Sequence, residues 1–217
     1  MQAIIDGCKK EQINATVVVV ISNNKDSVAL QRAKNEHIPN FHMSSKKYGS
    51  EEILAEEILK VLAEYNVDMI FLAGYMRLLH VSILETYDNR IFNIHPALLP
   101  KFGGKGMFGM NVHNAVIKAK EKETGVTIHR VNAEYDSGEI VAQTKVAVME
   151  DDTPEILAAR VLHREHEFLI ETISNIVEGK IQLGSMDSGL KGVAEGSCKG
   201  RLCIHSCPCS ESKLLEG

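Results

Sequence analysis

The sequence predicts an α/β protein in which helices cover both faces of a doubly wound, mostly parallel β-sheet. Strand-like and helix-like segments alternate along most of the 217 residues, which is the pattern of repeated strand–helix–strand units. Two of the strand-like segments, 15–21 and 67–73, are almost continuous apolar runs, as expected for strands that are buried on both faces. The length of the chain allows one substantial hydrophobic core.

The first 43 residues predict a helix, a strand, a second helix and a short extended segment. Residues 1–10 carry apolar side chains near helical spacing. The strand at 15–21 contains four consecutive valines, which favour strand conformation. Asp26 is placed to cap a helix over 28–33, and the extended segment lies at 40–43.

The next segments continue the alternation. A longer helix begins at Ser50 and strand 67–73 ends at Gly74. A short helix at 81–87 then leads to a strand at 90–94. The apolar face of the longer helix is expected to contain Ile53, Leu54, Ile58, Leu59 and Leu62.

The last regular part of the chain predicts two helices around a pair of strands. Residues 110–120 form the first helix, and 124–131 and 139–148 form the strands. The final helix covers 153–177, because Thr153 can cap it and Pro154 suits its first turn.

Composition limits the class of function. The formal net charge of −5 and the pI of about 6.0 argue against a nucleic-acid-binding surface. The chain has no apolar run long enough to cross a bilayer and no basic-then-apolar secretion signal at its start. We therefore expect a cytoplasmic protein without nucleic-acid or membrane partners.

The chain is expected to divide into a domain over 1–184 and a tail over 185–217. The tail is rich in Gly, Ser, Lys and Cys and lacks apolar periodicity, so it is predicted to be a disordered appendage. Zinc binding remains an alternative for its sulfur and imidazole groups, although their spacing lacks paired CxxC motifs and we expect no metal. These groups belong to Cys198, Cys203, His205, Cys207 and Cys209.

Candidate site residues lie where the strand at 90–94 ends. Asn93 and His95 are two residues apart, so their side chains point to the same face of an extended segment. Pro96 and Pro100 then prevent regular continuation and start a loop. An amide donor beside a titratable ring at a strand end suits a site that stabilises an oxyanion.

A third candidate, Asp136, lies in the polar turn 132–139 between two predicted strands. A carboxylate next to His95 would raise the pKa of the ring and stabilise its cation. Asn93, His95 and Asp136 together would allow acyl transfer without a protein nucleophile. The simpler alternatives are that Asp136 only forms the turn and that Asn93 only ends its strand.

Three motifs resemble those of the folate-dependent formyltransferases, and most closely the branch that formylates glycinamide ribonucleotide in purine synthesis. The motifs are NIHPALLPKF at 93–102, TGVTIH at 124–129 and YDSG at 135–138. They occur in the family's order and with similar spacing, and the resemblance covers about residues 2–183. It implies a Rossmann-like formyltransferase fold.

The resemblance also implies an activity: the formyl group of 10-formyltetrahydrofolate, a co-substrate, passes directly to the amine of 5′-phosphoribosylglycinamide. It implies no metal, and a monomer or weak homodimer. Asn93, His95 and Asp136 correspond to catalytic residues, and Pro96 and Glu165 to substrate-binding residues. Folate-binding positions are implied for Met76, Arg77, Leu78, Leu79, Asn93, Asn132, Ala133, Glu134, Tyr135 and Asp136.

The chain departs from the family at its start. Family members begin with a strand and a Gly-Ser-Asn type loop that holds the substrate phosphate through backbone amides, whereas this sequence starts inside the helix that should follow. We expect a sheet without its first, central strand, and hence unpaired edges, poor stability and weak substrate affinity. The alternatives are a formyltransferase for another acceptor, a deformylase, or a non-catalytic fragment that binds folate.

Overall fold

The computed structural model describes residues 1–181 and 199–206, and these residues form one mixed sheet with helices on both faces. In chain order the elements are α1 (Gln2–Lys9), β1 (Ala15–Ser22), α2 (Val28–Asn35), β2 (Asn40–His42), α3 (Ser45–Tyr48), α4 (Glu51–Glu64), β3 (Met69–Ala73), α5 (Val81–Thr86), β4 (Ile91–His95), α6 (Met110–Lys118), β5 (Glu123–Arg130), β6 (Ile140–Ala147), α7 (Pro154–Val177) and β7 (Gly200–Ser206).

The strand order in the sheet is β2-β1-β7-β3-β4-β5-β6. Strands β2, β1, β7, β3 and β4 are mutually parallel, and β5 and β6 continue the sheet in antiparallel fashion. The predicted doubly wound, mostly parallel α/β fold is therefore confirmed.

Two apolar clusters hold the helices on the sheet. Helices α1, α6 and α7 pack on one face, where Phe71 and Phe92 stack with ring centroids 5.2 Å apart. Helices α4 and α5 cover the opposite face around Ile70. This alternation of buried side chains along β3 explains why its sequence is a continuous apolar run.

The main correction to the sequence-based fold concerns the centre of the sheet. The expected gap is filled by β7, which pairs in parallel with β1 on one side and β3 on the other. Its backbone groups thus complete both ladders, and the predicted unpaired edges do not occur there. Residues 200–206 are part of the sheet and not of a disordered tail.

The remaining tail predictions concern residues 182–198 and 207–217, which lie outside the described residues. Cys203 and His205 are both buried in β7, whereas Cys198, Cys207 and Cys209 lie outside the described residues.

Within 1–181 and 199–206, no three His, Cys, Asp or Glu side chains are grouped to hold a metal ion. In the same ranges no helix combines the length and apolarity needed to cross a membrane.

Two local predictions were wrong. Ser27, not Asp26, caps α2, because its Oγ accepts a hydrogen bond from the Leu30 amide at 3.3 Å. Ile53 does not belong to the buried face of α4, since 48% of it is exposed. The cap of α7 is as predicted: Thr153 Oγ1 accepts from the Ile156 amide, and the helix ends at Val177.

Candidate functional site

A cleft of about 740 Å³ lies at the carboxyl ends of the central strands. Ala73 of β3, His95 of β4 and Ser206 of β7 line it. In open α/β sheets, ligands bind at this edge, and the volume is typical of a small-molecule site. A cavity of about 970 Å³ near Ala15 and Arg201 lies at the opposite ends of the strands and contains none of the predicted catalytic residues.

Asp136 brings the predicted catalytic residues together in the cleft. Its Oδ1 accepts a hydrogen bond from Asn93 Nδ2 at 3.4 Å, and its Oδ2 lies 3.6 Å from His95 Nδ1. The Gly104 amide donates to the same Oδ2 at 2.9 Å. One carboxylate therefore contacts an amide, an imidazole and a loop backbone. This is the arrangement expected from the three separate sequence positions.

The pairing of β4 with β5 holds the loop that follows His95. His95 is the register partner of Thr127. The Thr127 hydroxyl donates to the Ala97 carbonyl at 2.6 Å and accepts from the Leu99 amide at 3.1 Å. Gln143 of β6 donates to the Leu99 carbonyl at 2.9 Å. These bonds fix the proline-containing loop relative to the sheet, and its first residue, Pro96, lines the cleft.

The turn that carries Asp136 is shaped by its own polar residues. Asn132 Oδ1 accepts from the Glu134 amide and from the Ser137 hydroxyl, both at 3.0 Å, which is an Asx-type turn. Asp136 has a φ of 53°, a conformation that Asp tolerates better than most residues. A side chain at Gly138 would place its Cβ only 1.8 Å from the Arg130 carbonyl oxygen, so the close approach requires glycine.

The electrostatic state of His95 differs from the sequence-based expectation. Burial lowers the pKa of the ring, and this exceeds the opposite effects of Asp136 and of the Phe102 carbonyl. His95 Nε2 donates to that carbonyl at 2.7 Å, so Nε2 carries the proton of the neutral ring. Nδ1 is then unprotonated and faces the carboxylate. The ring can accept a proton there, and Asp136 would stabilise the resulting cation.

Asp136 itself is held in the ionised form. Burial raises its pKa, but the hydrogen bond from His129, the attraction of His95 when that ring is protonated and the Gly104 amide together outweigh this effect, so the pKa lies below its usual value. A carboxylate that accepts several hydrogen bonds is expected to behave in this way. The site thus contains a fixed negative charge beside a neutral ring.

Two buried polar groups in the cleft were not predicted from the sequence. His113 Nδ1 and Ser206 Oγ have no hydrogen-bond partner in the described structure, and both residues line the cleft. Burial, assisted by the charge of His95, lowers the pKa of His113 to about 4. Nothing in the local sequence distinguishes these residues, because their position depends on how α6 and β7 pack.

Residues 76–79, the predicted folate-binding segment that precedes α5, lie in three different environments: the cleft, the core and the surface. Met76 lines the cleft. Leu79 is buried in the core beneath α5, whereas Leu78 is 45% exposed. Arg77 is on the surface, where Nη1 lies 3.5 Å from a carboxylate oxygen of Glu51.

Only part of the second predicted folate-binding segment, residues 132–136, lines the cleft. Tyr135 and Asp136 line the cleft, whereas Asn132, Ala133 and Glu134 are exposed residues of the turn and do not line it. The predicted substrate-binding residues, Pro96 and Glu165, both line the cleft. Asn93 lines it as well and contacts Asp136 directly.

Comparison with known proteins identifies the family. Residues 1–173 match the sequence model of a protein family described as formyl transferase. The chain is 43% identical over 180 residues to the chloroplastic phosphoribosylglycinamide formyltransferase of Arabidopsis thaliana, covering 82% of this chain and 62% of the relative. It is 33% identical over 192 residues to phosphoribosylglycinamide formyltransferase of Escherichia coli K12, covering 88% of each chain. The chain therefore spans about three fifths of the length of the Arabidopsis relative and most of the bacterial one.

Solved structures agree with this result. Phosphoribosylglycinamide formyltransferase from Bacillus halodurans superposes with a TM-score of 0.75 at 35% identity, covering 82% of this chain and 90% of that chain. Glycinamide ribonucleotide transformylase 1 from Symbiobacterium toebii gives the same TM-score at 39% identity, with 82% of each chain covered. The motifs, the fold and these similarities lead to one conclusion: the chain belongs to the formyl transferase family.

Proposed function

We propose that the protein transfers the formyl group of 10-formyltetrahydrofolate to the amine of 5′-phosphoribosylglycinamide. The observation that carries this proposal is the contact of a single carboxylate, Asp136, with both Asn93 and His95 in a cleft at the strand ends. The names of the bacterial and plant relatives support the same substrate.

Each residue of this group has a role in the proposed reaction. The formylfolate supplies a formyl carbon bound to nitrogen. A bond forms between the substrate amine and that carbon, the bond from the carbon to the folate nitrogen breaks, and one proton moves from the amine to the departing nitrogen. His95 Nδ1 accepts this proton and returns it, and Asp136 stabilises the ring while it is charged. Asn93 hydrogen-bonds the reacting groups and orients them.

The lining of the cleft fits the two substrates. Met76, Met107 and Phe108 provide an apolar wall, which suits a flat aromatic ring system. Arg32 and Ser206 lie in the same cleft, and a cation with a hydroxyl group suits a phosphate.

The test is to mix the protein with 10-formyltetrahydrofolate and the ribonucleotide and to follow the folate absorbance. We expect turnover that requires both substrates and is lost in His95→Ala. His163→Ala is the matched control, because His163 is a surface residue of α7 and its replacement should leave turnover unchanged.

The other outcomes separate the alternatives. Folate product without added ribonucleotide would indicate that water is the acceptor, as in a deformylase. Product only with a different amine would indicate another formyl acceptor. Folate binding without any turnover would indicate a non-catalytic fragment and would contradict the proposal.

A further inference from the structure

We propose that His113 is an additional substrate-binding residue, whose ring Nδ1 forms a hydrogen bond with the uncharged amide or ribose part of the ribonucleotide. This inference rests on the proposed function for the identity of the ligand. His113 lines the cleft and is only 5% exposed, and its Nδ1 has no hydrogen-bond partner among the described residues. Since buried polar atoms are nearly always paired, a group that binds in the cleft is the candidate partner.

The neighbours of His113 in α6 determine where its ring lies. Val112 and Val116 are fully buried in the core. Asn111 Nδ2 donates to the Gly106 carbonyl at 2.9 Å, which ties the start of α6 to the loop before it. These contacts oppose a rotation of the helix that would bring Nδ1 to another partner. The unpaired nitrogen is therefore a fixed feature of the wall of the cleft.

The ring lies on the side of the cleft where α6 packs against α7. Glu165 of α7 and Pro96, the two positions implied for the ribonucleotide, line the same cleft. His113 is also close enough to His95 for the charges of the two rings to interact. In the ribonucleotide, one CH₂ group separates the amine from the amide, and the amide nitrogen bears the ribose. A ligand whose amine lies at His95 therefore has its amide and ribose within reach of the α6 side of the cleft.

The chemistry of the ring favours an uncharged partner. Burial, together with repulsion from a protonated His95, lowers the pKa of His113 to about 4, so the ring is neutral at neutral pH. A neutral imidazole has one donor and one acceptor nitrogen, and it lacks the charge that strengthens a hydrogen bond to a phosphate. An amide or a hydroxyl group can pair with Nδ1 in either tautomer, because both groups contain a donor and an acceptor.

Two variants test the contact by steady-state kinetics. His113→Leu removes both ring nitrogens but keeps a side chain of similar size, whereas the amide of His113→Asn is as many bonds from the backbone as Nδ1. We expect His113→Leu to raise the KM for the ribonucleotide about 5- to 10-fold, as loss of one neutral hydrogen bond does, and His113→Asn to raise it about twofold. Since the contact is to a part of the substrate that does not react, kcat should change less than threefold. The KM for 10-formyltetrahydrofolate should not change, and the matched control is His163→Leu, at an exposed position of α7.

Thermal unfolding without ligands separates a binding role from a structural one. Because Nδ1 has no partner in the described structure, an apolar side chain in its place leaves no polar atom buried without a hydrogen bond. His113→Leu should therefore melt at or above the temperature of the wild type. A clearly lower melting temperature would overturn the proposal, because it would show that the ring has a partner in the free protein, such as a buried water molecule.

The binding results can also overturn the proposal. An unchanged KM for the ribonucleotide in His113→Leu would do so, and so would a rise confined to the KM for 10-formyltetrahydrofolate. Absence of turnover in the wild type would contradict the proposed function only. Calorimetric titration with the ribonucleotide alone would then compare the wild type with His113→Leu: a 5- to 10-fold higher Kd for the variant supports the contact, and equal affinities overturn it.

Discussion

The central position of β7 makes a quantitative prediction at Ile204. This side chain is fully buried between Val20 of β1 and Phe71 of β3, its partners in the two ladders. Ile204→Ala removes three carbon atoms, which corresponds to about 2.4 kcal/mol of transfer free energy at about 0.8 kcal/mol per group. The cavity left behind adds to this loss, so we expect the free energy of unfolding to fall by about 3–4 kcal/mol.

The assay is thermal unfolding followed by circular dichroism, with urea unfolding to obtain the free energy. For a chain of this size, a loss of about 3–4 kcal/mol lowers the melting temperature by roughly 6–16 °C. The matched control is Ile140→Ala, the same substitution on the edge strand β6, where the side chain is 43% exposed. It should cost less than about 1 kcal/mol.

Equal melting temperatures for Ile204→Ala and the wild type would refute the reasoning. The side chain would then not be buried in the sheet, and β1 and β3 would need another way to satisfy their facing edges. A loss at Ile140 as large as that at Ile204 would also contradict it, because the effect would no longer depend on burial.

Three further predictions concern the site and its surroundings. Asp136→Asn should lower kcat by about 10³-fold while folate binding is retained, because the charge that stabilises the His95 cation is lost; steady-state kinetics and a folate titration measure the two effects. Gly138→Ala should lower both the melting temperature and kcat, because the added Cβ would meet the Arg130 carbonyl at 1.8 Å and displace the turn. Burial lowers the pKa of His205 to about 4, so its stabilising effect is present above pH 6.5 and is lost as the pH falls towards 4; urea unfolding at pH 7 and pH 5 should show about 2 kcal/mol less pH dependence in His205→Asn.

Sequence reasoning succeeded where local signals agree with tertiary structure. The valines of β1 and the Thr153–Pro154 start of α7 are strong local signals, and both elements form as predicted. The spacing of Asn93 and His95 also predicted that their side chains lie on the same face of β4, because side-chain alternation in a strand does not depend on the rest of the fold. The site residues on regular strands were therefore easier to predict than the turn that carries Asp136.

The features that the sequence did not predict depend on contacts between segments that are distant along the chain. Strand β7 has the sequence GRLCIHS, with a glycine, an arginine and a histidine among only seven residues, and it follows a region without apolar periodicity. Its burial results from two partner strands that are distant along the chain. Asp136 raises the pKa of His95 as predicted, but burial outweighs this effect, and the burial of the ring cannot be read from the sequence.

Strand β7 links the stability of the sheet to the completeness of the site. Its interior residues satisfy the backbones of β1 and β3, and its last described residue, Ser206, lines the cleft with Ala73 and His95. A ligand that contacts Ser206 and His95 together requires β7 and β4 to be in place at the same time. Such a ligand binds the folded sheet and not the unfolded chain, so it stabilises the arrangement by about 2.7 kcal/mol at a hundredfold excess over its Kd. Binding of such a ligand would therefore be coupled to the folding of β7, the strand that fills the expected gap in the sheet.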